Sequence, residues 1–374
     1  SDHQVAFMAP TEILANQHFK LAKKLFKKTN INLKILTGKT EYGEKKTIIS
    51  MLENGKINFV FGTHALFQNK IKFSNLGLII IDEQHKFGVN QRLKLAKKGG
   101  RNCDLLLISA TPIPRTMMLS FFGDMDISRL KEKPKNRHNI LTLVKPESKI
   151  SEVWPLLKKE MSFERQIFWV CPLIDESSIL NFSSVKKKFD QINKLFPNQV
   201  GLIHGSLNKD EKDLVLKKFL SKTIKILVST TVIEVGIDFP DANTIVIEDS
   251  NKFGLSQLHQ LRGRVGRGKN KSICILLYKK NLSDNARKRL KILRSSNDGF
   301  EIAEKDMSLR GYGDILGFQQ SGIKSFKFAD PIHHKDLFFL AENNIKIIEG
   351  TNFKKYENLL KMYDKAEIIH EIGN

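Results

Sequence analysis

Short, nearly continuous apolar runs alternate with stretches of helical period along most of the chain. Strand-like runs lie at Gln4–Met8, 32–36, 58–62, Leu76–Ile81 and 105–108, and apart from 32–36, where Asn32 and Lys34 alternate with apolar residues, they lack polar/apolar alternation, the pattern of strands buried on both faces. Residues 11–28 and 41–54 between them carry apolar positions at helical spacing. This predicts a parallel α/β sheet covered by helices. At 131–139 the text becomes polar and is broken by Pro134, which suits a linker. A second alternation follows, with strands expected at 140–144, Gln166–Val170, Val200–Ile203, 224–229, 244–247 and 272–277, and helices near 149–161, 183–196 and Lys209–Leu220. Beyond Asn281 the strand runs cease and a helical pattern continues, interrupted at 309–322 by Gly311, Gly313, Gly317 and Gly322. The expected division is a first α/β domain at 1–135, a second at 136–281 and a helical module at 282–374.

Composition narrows the class. With 374 residues, 41% hydrophobic and 27% charged, the chain is expected to be globular, with room for two or three domains. No apolar run approaches the ~20 residues that span a bilayer, so no membrane association is expected. Cys103, Cys171 and Cys274 each fall in a strand-like run and none forms a C-x-x-C pair, which argues against zinc or a disulfide framework and for a reducing cytoplasm. The 62 Lys+Arg against 40 Asp+Glu leave a net charge of +22, which points to a polyanionic partner such as nucleic acid. Of 13 arginines, seven lie between 262 and 310: Arg262, Arg264, Arg267, Arg287, Arg289, Arg294 and Arg310. Where lysine meets the general need for charge, clustered guanidinium forks suggest phosphate recognition. The chain opens on Ser1 and runs at once into a strand, so a start truncated relative to a longer protein is expected.

Three segments carry candidate chemistry. The run Leu76–Ile81 ends in Asp82-Glu83-Gln84-His85, which puts two carboxylates and an imidazole at the carboxyl edge of a parallel sheet. Read as an NTPase site, Asp82 holds Mg²⁺ through its hydration shell while Glu83 orients and deprotonates the attacking water. Read blandly, it is a solvated strand end. Residues 105–108 lead into Ser109-Ala110-Thr111-Pro112, whose hydroxyls either make a turn or link His85 to domain motion. The stretch Gln260-Leu261-Arg262-Gly263-Arg264-Val265-Gly266-Arg267 combines close-approach glycines with guanidinium groups that could serve as arginine fingers or hold a nucleic-acid backbone. A phosphate-cradling G-x-x-x-x-G-K-[ST] loop is missing. The stretch from Gly38 to Glu44 has Glu where Lys is required, and the one from Gly263 to Lys269 is followed by Asn270 in place of the hydroxyl. Such a loop is expected about 15–25 residues upstream of Ser1.

Taken in order, these segments resemble superfamily 2 helicases, and among them the RecG family of ATP-dependent DNA helicases, over essentially the whole chain. Ala9-Pro10-Thr11-Glu12 resembles motif Ia, Gly62-Thr63-His64 motif Ib, Asp82-Glu83-Gln84-His85 motif II and Ser109-Ala110-Thr111 motif III. The stretch from Ser229 to Asp238 resembles motif V, and that from Gln260 to Arg267 motif VI. The box DEQH followed by Phe87-Gly88-Val89, and the run from Asp298 to Gly322, resemble RecG features, the second being a translocation motif in which Tyr312 stands where the family pattern has Pro.

The resemblance implies two RecA-like parallel-sheet domains in tandem followed by a helical hairpin and loop. It implies ATP and Mg²⁺, with Asp82, Glu83, Gln260, Arg264 and Arg267 catalytic and Asp82 reaching the metal through water. Coupling falls to Gln84, His85, Ser109, Thr111, Gly236 and Asp238, and translocation to Arg289, Arg310 and Gln320. DNA phosphates are gripped by Pro10, Thr11, Gly62, Thr63, Thr230 and Thr231. The implied partners are branched double-stranded DNA, such as forks and Holliday junctions, and a single-stranded-DNA-binding protein. The implied state is a monomer in the bacterial cytoplasm, associated with the nucleoid. Without a P-loop or the family's DNA-splitting wedge domain, the chain alone is expected to be inactive. The alternatives are a transcription-repair coupling translocase and a degenerate motor that binds DNA without enzymatic activity.

Overall fold

The computed structural model describes residues 3–84, 87, 98–100, 103–109, 126, 128–130, 132, 138–172, 178–230, 239–268, 270–310, 334, 336, 337, 340, 341 and 344. The chain forms two compact units, one of Ser1–Pro112 with Lys133–Ile302 and one of Ile113–Glu132 with Ala303–Asn374. The first unit contains two parallel sheets.

The first sheet is built from β1 (Gln4–Met8), β2 (Leu33–Leu36), β3 (Phe59–Gly62), β4 (Leu76–Ile81) and β5 (Asp104–Leu107), in the order β2-β3-β1-β4-β5 among the described residues. Its helices are α1 (Glu12–Leu25) and α2 (Tyr42–Glu53), and a 3-10 turn at His64–Phe67 follows β3. Ala6, Met8, Val60, Ile79 and Ile81 fill one core with Ile48 and Leu52 of α2. On β1, Phe7 packs with Phe61 and Ala22 in a second cluster. That explains the lack of alternation: β1 is covered on both faces. Gln4, buried at the strand's start, is fully satisfied, donating to the carbonyls of Leu52 and Ile57 and accepting from the amides of Ser74 and Asn75. At the edge, Leu105 and Leu107 of β5 pack on the core, whereas Leu106 is 49% exposed and the following Ile108 39%.

The second sheet runs β6-β11-β10-β7-β9-β8. Its strands are β6 (Leu141–Pro146), β7 (Gln166–Val170), β8 (Val200–Ile203), β9 (Ile226–Ser229), β10 (Ala242–Ile247) and β11 (Ile273–Tyr278), all paired in parallel. Every residue of β7, β9 and β10 is buried. The helices are α3 (Val153–Ser162), α4 (Ser178–Leu195), α5 (Lys209–Leu220) and α6 (Leu255–Arg262), followed by α7 (Asp284–Ser295) and α8 (Gly299–Arg310). The expected helix near 149–161 is a 3-10 segment at Glu147–Glu152, itself kinked at Lys149, followed directly by α3. Cys274 lies within β11, but Cys103 precedes β5 and Cys171 follows β7, so two of the three cysteines flank strands; all three are free thiols. Among the described residues no helix is long and apolar enough to cross a membrane.

Candidate functional site

Register brings the first group of candidates to one edge. Met8 of β1 pairs with Gly62 of β3 on one side and Ile81 of β4 on the other, and Ile81 pairs with Leu107 of β5. The residues that follow these strand ends therefore emerge together: Pro10 and Thr11, Thr63, Asp82 and Glu83, and Ser109. Ligand sites of open parallel sheets lie along this carboxyl edge.

The acid pair is tightly held. Asp82 donates its amide to the carbonyl of Met8 at 2.9 Å, and its Oδ1 accepts from the amide of Glu83 at 2.9 Å. Its Oδ2 accepts from Nε2 of His18 at 3.0 Å. His18 sits on α1 and was not among the sequence candidates, since a histidine within a helical pattern carries no signal of what it faces. Glu83 has φ +49°, a left-handed backbone uncommon for a residue with a side chain and characteristic of functional sites. Gln84 is buried and donates its amide to Ile108 at 3.1 Å.

Among the described residues no three His, Cys, Asp or Glu side chains gather as a closed metal site. Asp82 offers a single carboxylate at the sheet edge. That donor set suits Mg²⁺, which keeps most of its own water and is bound through one or two carboxylates plus substrate phosphates.

The residues assigned to DNA carry local structural duties as well. Thr11 is the N-cap of α1, its hydroxyl accepting from the amide of Leu14 at 3.3 Å. Gly62 is buried, and a Cβ there would lie 2.5 Å from the carbonyl oxygen of Leu36, so its missing side chain is needed for packing. Thr63 precedes the His64–Phe67 turn without a side-chain cap, and Thr63 and Thr230 are both largely buried.

In the second sheet Val170 pairs with Ser229 and Ile247, so Cys171, Thr230 and Glu248 leave the strand ends side by side. Lys188 of α4 reaches Glu248 there at 2.7 Å, and the Cys171 thiol donates toward the same carboxylate at 3.6 Å. Burial pushes both the Glu248 carboxyl and the Cys171 thiol up. The run Lys186-Lys187-Lys188, whose bland reading is a solvated face, therefore includes one residue that turns inward to neutralise a buried acid.

The arginines divide. Arg262, 2% exposed, donates from Nη1 to the carbonyls of Leu293 at 2.7 Å and Ser296 at 2.9 Å, at the C-terminal end of α7, while Nη2 meets His259 Nδ1 at 3.1 Å. This corrects the phosphate reading for Arg262: its fork is engaged by protein carbonyls that a helix end leaves open. Arg264 is half-buried, and burial first, then the charge of Arg267, lower its guanidinium pKa while Glu83 opposes the shift. The charge of Glu83, at the first sheet edge, thus reaches Arg264, which follows α6. Arg267 is exposed and Gln260 half-exposed. Gly266 stands between them at φ +79°, which turns the chain after α6. Arg289 of α7 donates from Nη2 to the carbonyl of Asn251 at 3.1 Å, tying α7 to the turn at Ser250–Lys252 rather than lying on a solvated face. Arg310 ends α8. His85, Thr111, Thr231, Gly236, Asp238, Tyr312 and Gln320 lie outside the described residues.

Comparison with known proteins agrees with this arrangement. Residues 1–119 match the DEAD/DEAH box helicase family, 164–269 the helicase conserved C-terminal domain, and 296–361 the family described as ATP-dependent DNA helicase RecG, domain 3, C-terminal. The ATP-dependent DNA helicase RecG of Thermotoga maritima is 45% identical over 92% of this chain and 44% of its own length; that of Bacillus subtilis is 44% identical over 89% and 49%. A solved structure of RecG bound to a three-way DNA junction superposes with a TM-score of 0.70 at 43% identity, covering 90% of this chain and 43% of that one. The chain spans about half the length of the curated relatives it matches. Two RecA-like parallel sheets in tandem, with an Asp-Glu pair at one carboxyl edge and a Gln-x-x-Gly-Arg-x-Gly-Arg segment after the other, define a superfamily 2 helicase motor. Within that class the chain belongs to the RecG family.

Proposed function

We propose that the protein is an ATP-driven translocase on double-stranded DNA that acts as a helicase at branched structures, stalled forks and recombination junctions, in DNA repair and recombination. The observation that carries this reading is the paired register that brings Pro10, Thr11, Thr63, Asp82, Glu83 and Ser109 to one sheet edge. Asp82, held by His18 and the Glu83 amide, would hold Mg²⁺, and the metal when bound would supply charge neutralisation of the phosphates. Glu83 orients the attacking water and takes its proton. Gln260, Arg264 and Arg267 stabilise the charge that develops on the transferred phosphoryl group.

As working domains we infer 1–135, 136–281 and 282–374, bounds drawn from the sequence pattern; the two compact units break instead after Pro112, Glu132 and Ile302. Pro10, Thr11, Gly62, Thr63, Thr230 and Thr231 line the DNA path, chiefly through backbone amides. Gln84, His85, Ser109, Thr111, Gly236 and Asp238 couple hydrolysis to domain motion, and Arg289, Arg310 and Gln320 pass that motion to DNA. The whole protein works as a monomer in the bacterial cytoplasm, close to the nucleoid and in contact with a single-stranded-DNA-binding protein. Neither the transcription-repair translocase nor the degenerate DNA binder gains a separate observation in its favour.

The test is Glu83→Gln in the full-length protein. It removes the base and keeps the Asp82 charge, so DNA-stimulated ATP turnover falls by about 10²–10⁴-fold while the affinity for a three-way junction stays unchanged. Wild-type turnover in the variant removes Glu83 from the role of base.

A further inference from the structure

The turn at His64–Phe67 stands at the same sheet edge as the acid pair, and Thr63 does not cap it with its side chain. Two residues downstream of Asp82 and Glu83 hold it instead. Phe87 is buried with its ring centroid 5.5 Å from that of His64. Its amide donates to the carbonyl of Gln84 at 3.0 Å, and the Gln84 amide donates to Ile108 at 3.1 Å, so Phe87 is rooted in the segment that carries the acids. Lys98 comes from further along. Its ammonium donates to three backbone carbonyls, Leu66 at 3.1 Å, Gln68 at 2.6 Å and Ile71 at 2.9 Å. Three converging carbonyls use all three donors of an ammonium, and they fix three peptide planes of one short segment at once. Burial lowers the Lys98 pKa, as expected for a cation withdrawn from water.

We propose that Phe87 and Lys98 are positioning residues that clasp the segment 63–71 and carry the state of the Asp82-Glu83 pair to it, so that bound nucleotide sets how the Thr63 turn presents its backbone to a DNA phosphate. The inference rests on the function proposed above and adds a route of coupling that lies wholly within the first sheet's edge. A shift of the acid segment moves the Phe87 ring against His64, while Lys98 makes the rest of the turn follow as one piece. The arrangement differs from a surface lysine that touches DNA, because the described partners of Lys98 are carbonyls of the one short segment 66–71.

The experiment uses the full-length protein and two substitutions, Lys98→Met and Lys98→Arg. Methionine keeps the length and removes the donors; arginine keeps the charge but offers a planar fork that does not converge on three carbonyls. Both variants should raise the DNA concentration for half-maximal stimulation of ATP turnover by about tenfold, with DNA-free turnover as in wild type. In the wild-type protein, AMP-PNP with Mg²⁺ and no DNA should change amide hydrogen exchange over residues 64–71. Loss with methionine but full retention with arginine makes Lys98 a plain charge contact and overturns the clasp, as does an unchanged DNA requirement in both. Exchange over 64–71 that ignores the nucleotide overturns the transmission even if a variant fails to fold. A wild-type protein whose turnover ignores DNA instead defeats the function proposed above.

Discussion

Arg262 shows how one residue in a motif can differ in kind from its neighbours. Its guanidinium answers two main-chain carbonyls at the end of α7 while 98% of its surface is out of water; its depressed pKa still leaves it charged. Arg262→Met strands those carbonyls and should cost about 2–4 kcal/mol of unfolding free energy, measured by urea titration. Arg267→Ala, at an exposed position two residues past the buried Val265, should stay within about 0.5 kcal/mol of wild type. Equal losses at the two sites would refute the division. From the sequence alone the seven clustered arginines look alike, because clustering reports charge density and is silent on which fork meets a carbonyl. Asp82 and Glu83 were legible for the opposite reason: a strand run that ends in two acids puts them at the sheet edge whatever the rest of the chain does. His18 and Lys188 were not, since their partners Asp82 and Glu248 are 64 and 60 residues away in the chain and only the fold joins them.

At the scale of elements, legibility follows local signals. Helix α5 runs over Lys209–Leu220 as its helical spacing predicts, and its start is fixed by a reciprocal capping box, Asn208 Oδ1 accepting from the Glu211 amide at 2.9 Å and Glu211 from the Asn208 amide at 3.0 Å. Asn208→Ala should lower stability by about 1 kcal/mol, seen as a shift of the urea midpoint without change in slope; no shift would mean that α5 is held by its packing alone. Strands β7, β9 and β10 were equally clear, since burial on both faces writes itself as an apolar run. Helix α6 was not anticipated as a helix, because its sequence LSQLHQLR mixes polar and apolar residues over barely two turns and leads into a glycine-rich segment. Its burial of Leu255, Leu258 and Leu261 on one side is a tertiary fact. The break at Lys149 went unseen for a similar reason: nothing in ESKISE separates a 3-10 turn from a first helical turn.

For the molecule as a whole, the net charge of +22 and the apolar surface at Leu106 and Ile108 pull in opposite directions. Positive charge drives association with DNA and keeps copies of the chain apart. Leu106 and Ile108 do the reverse, since apolar side chains left in water favour contact with another apolar surface. Salt decides between them: near 0.15 M the screening length is about 8 Å, and higher ionic strength silences repulsion while leaving apolar contact intact. The 374-residue chain should therefore scatter more light as salt rises, and Ile108→Lys should suppress the increase; scattering that is flat with salt in both would show that β5 is no liability. A high-salt wash, the usual means of stripping nucleic acid from a basic protein, would then be the step at which a preparation of this chain turns cloudy.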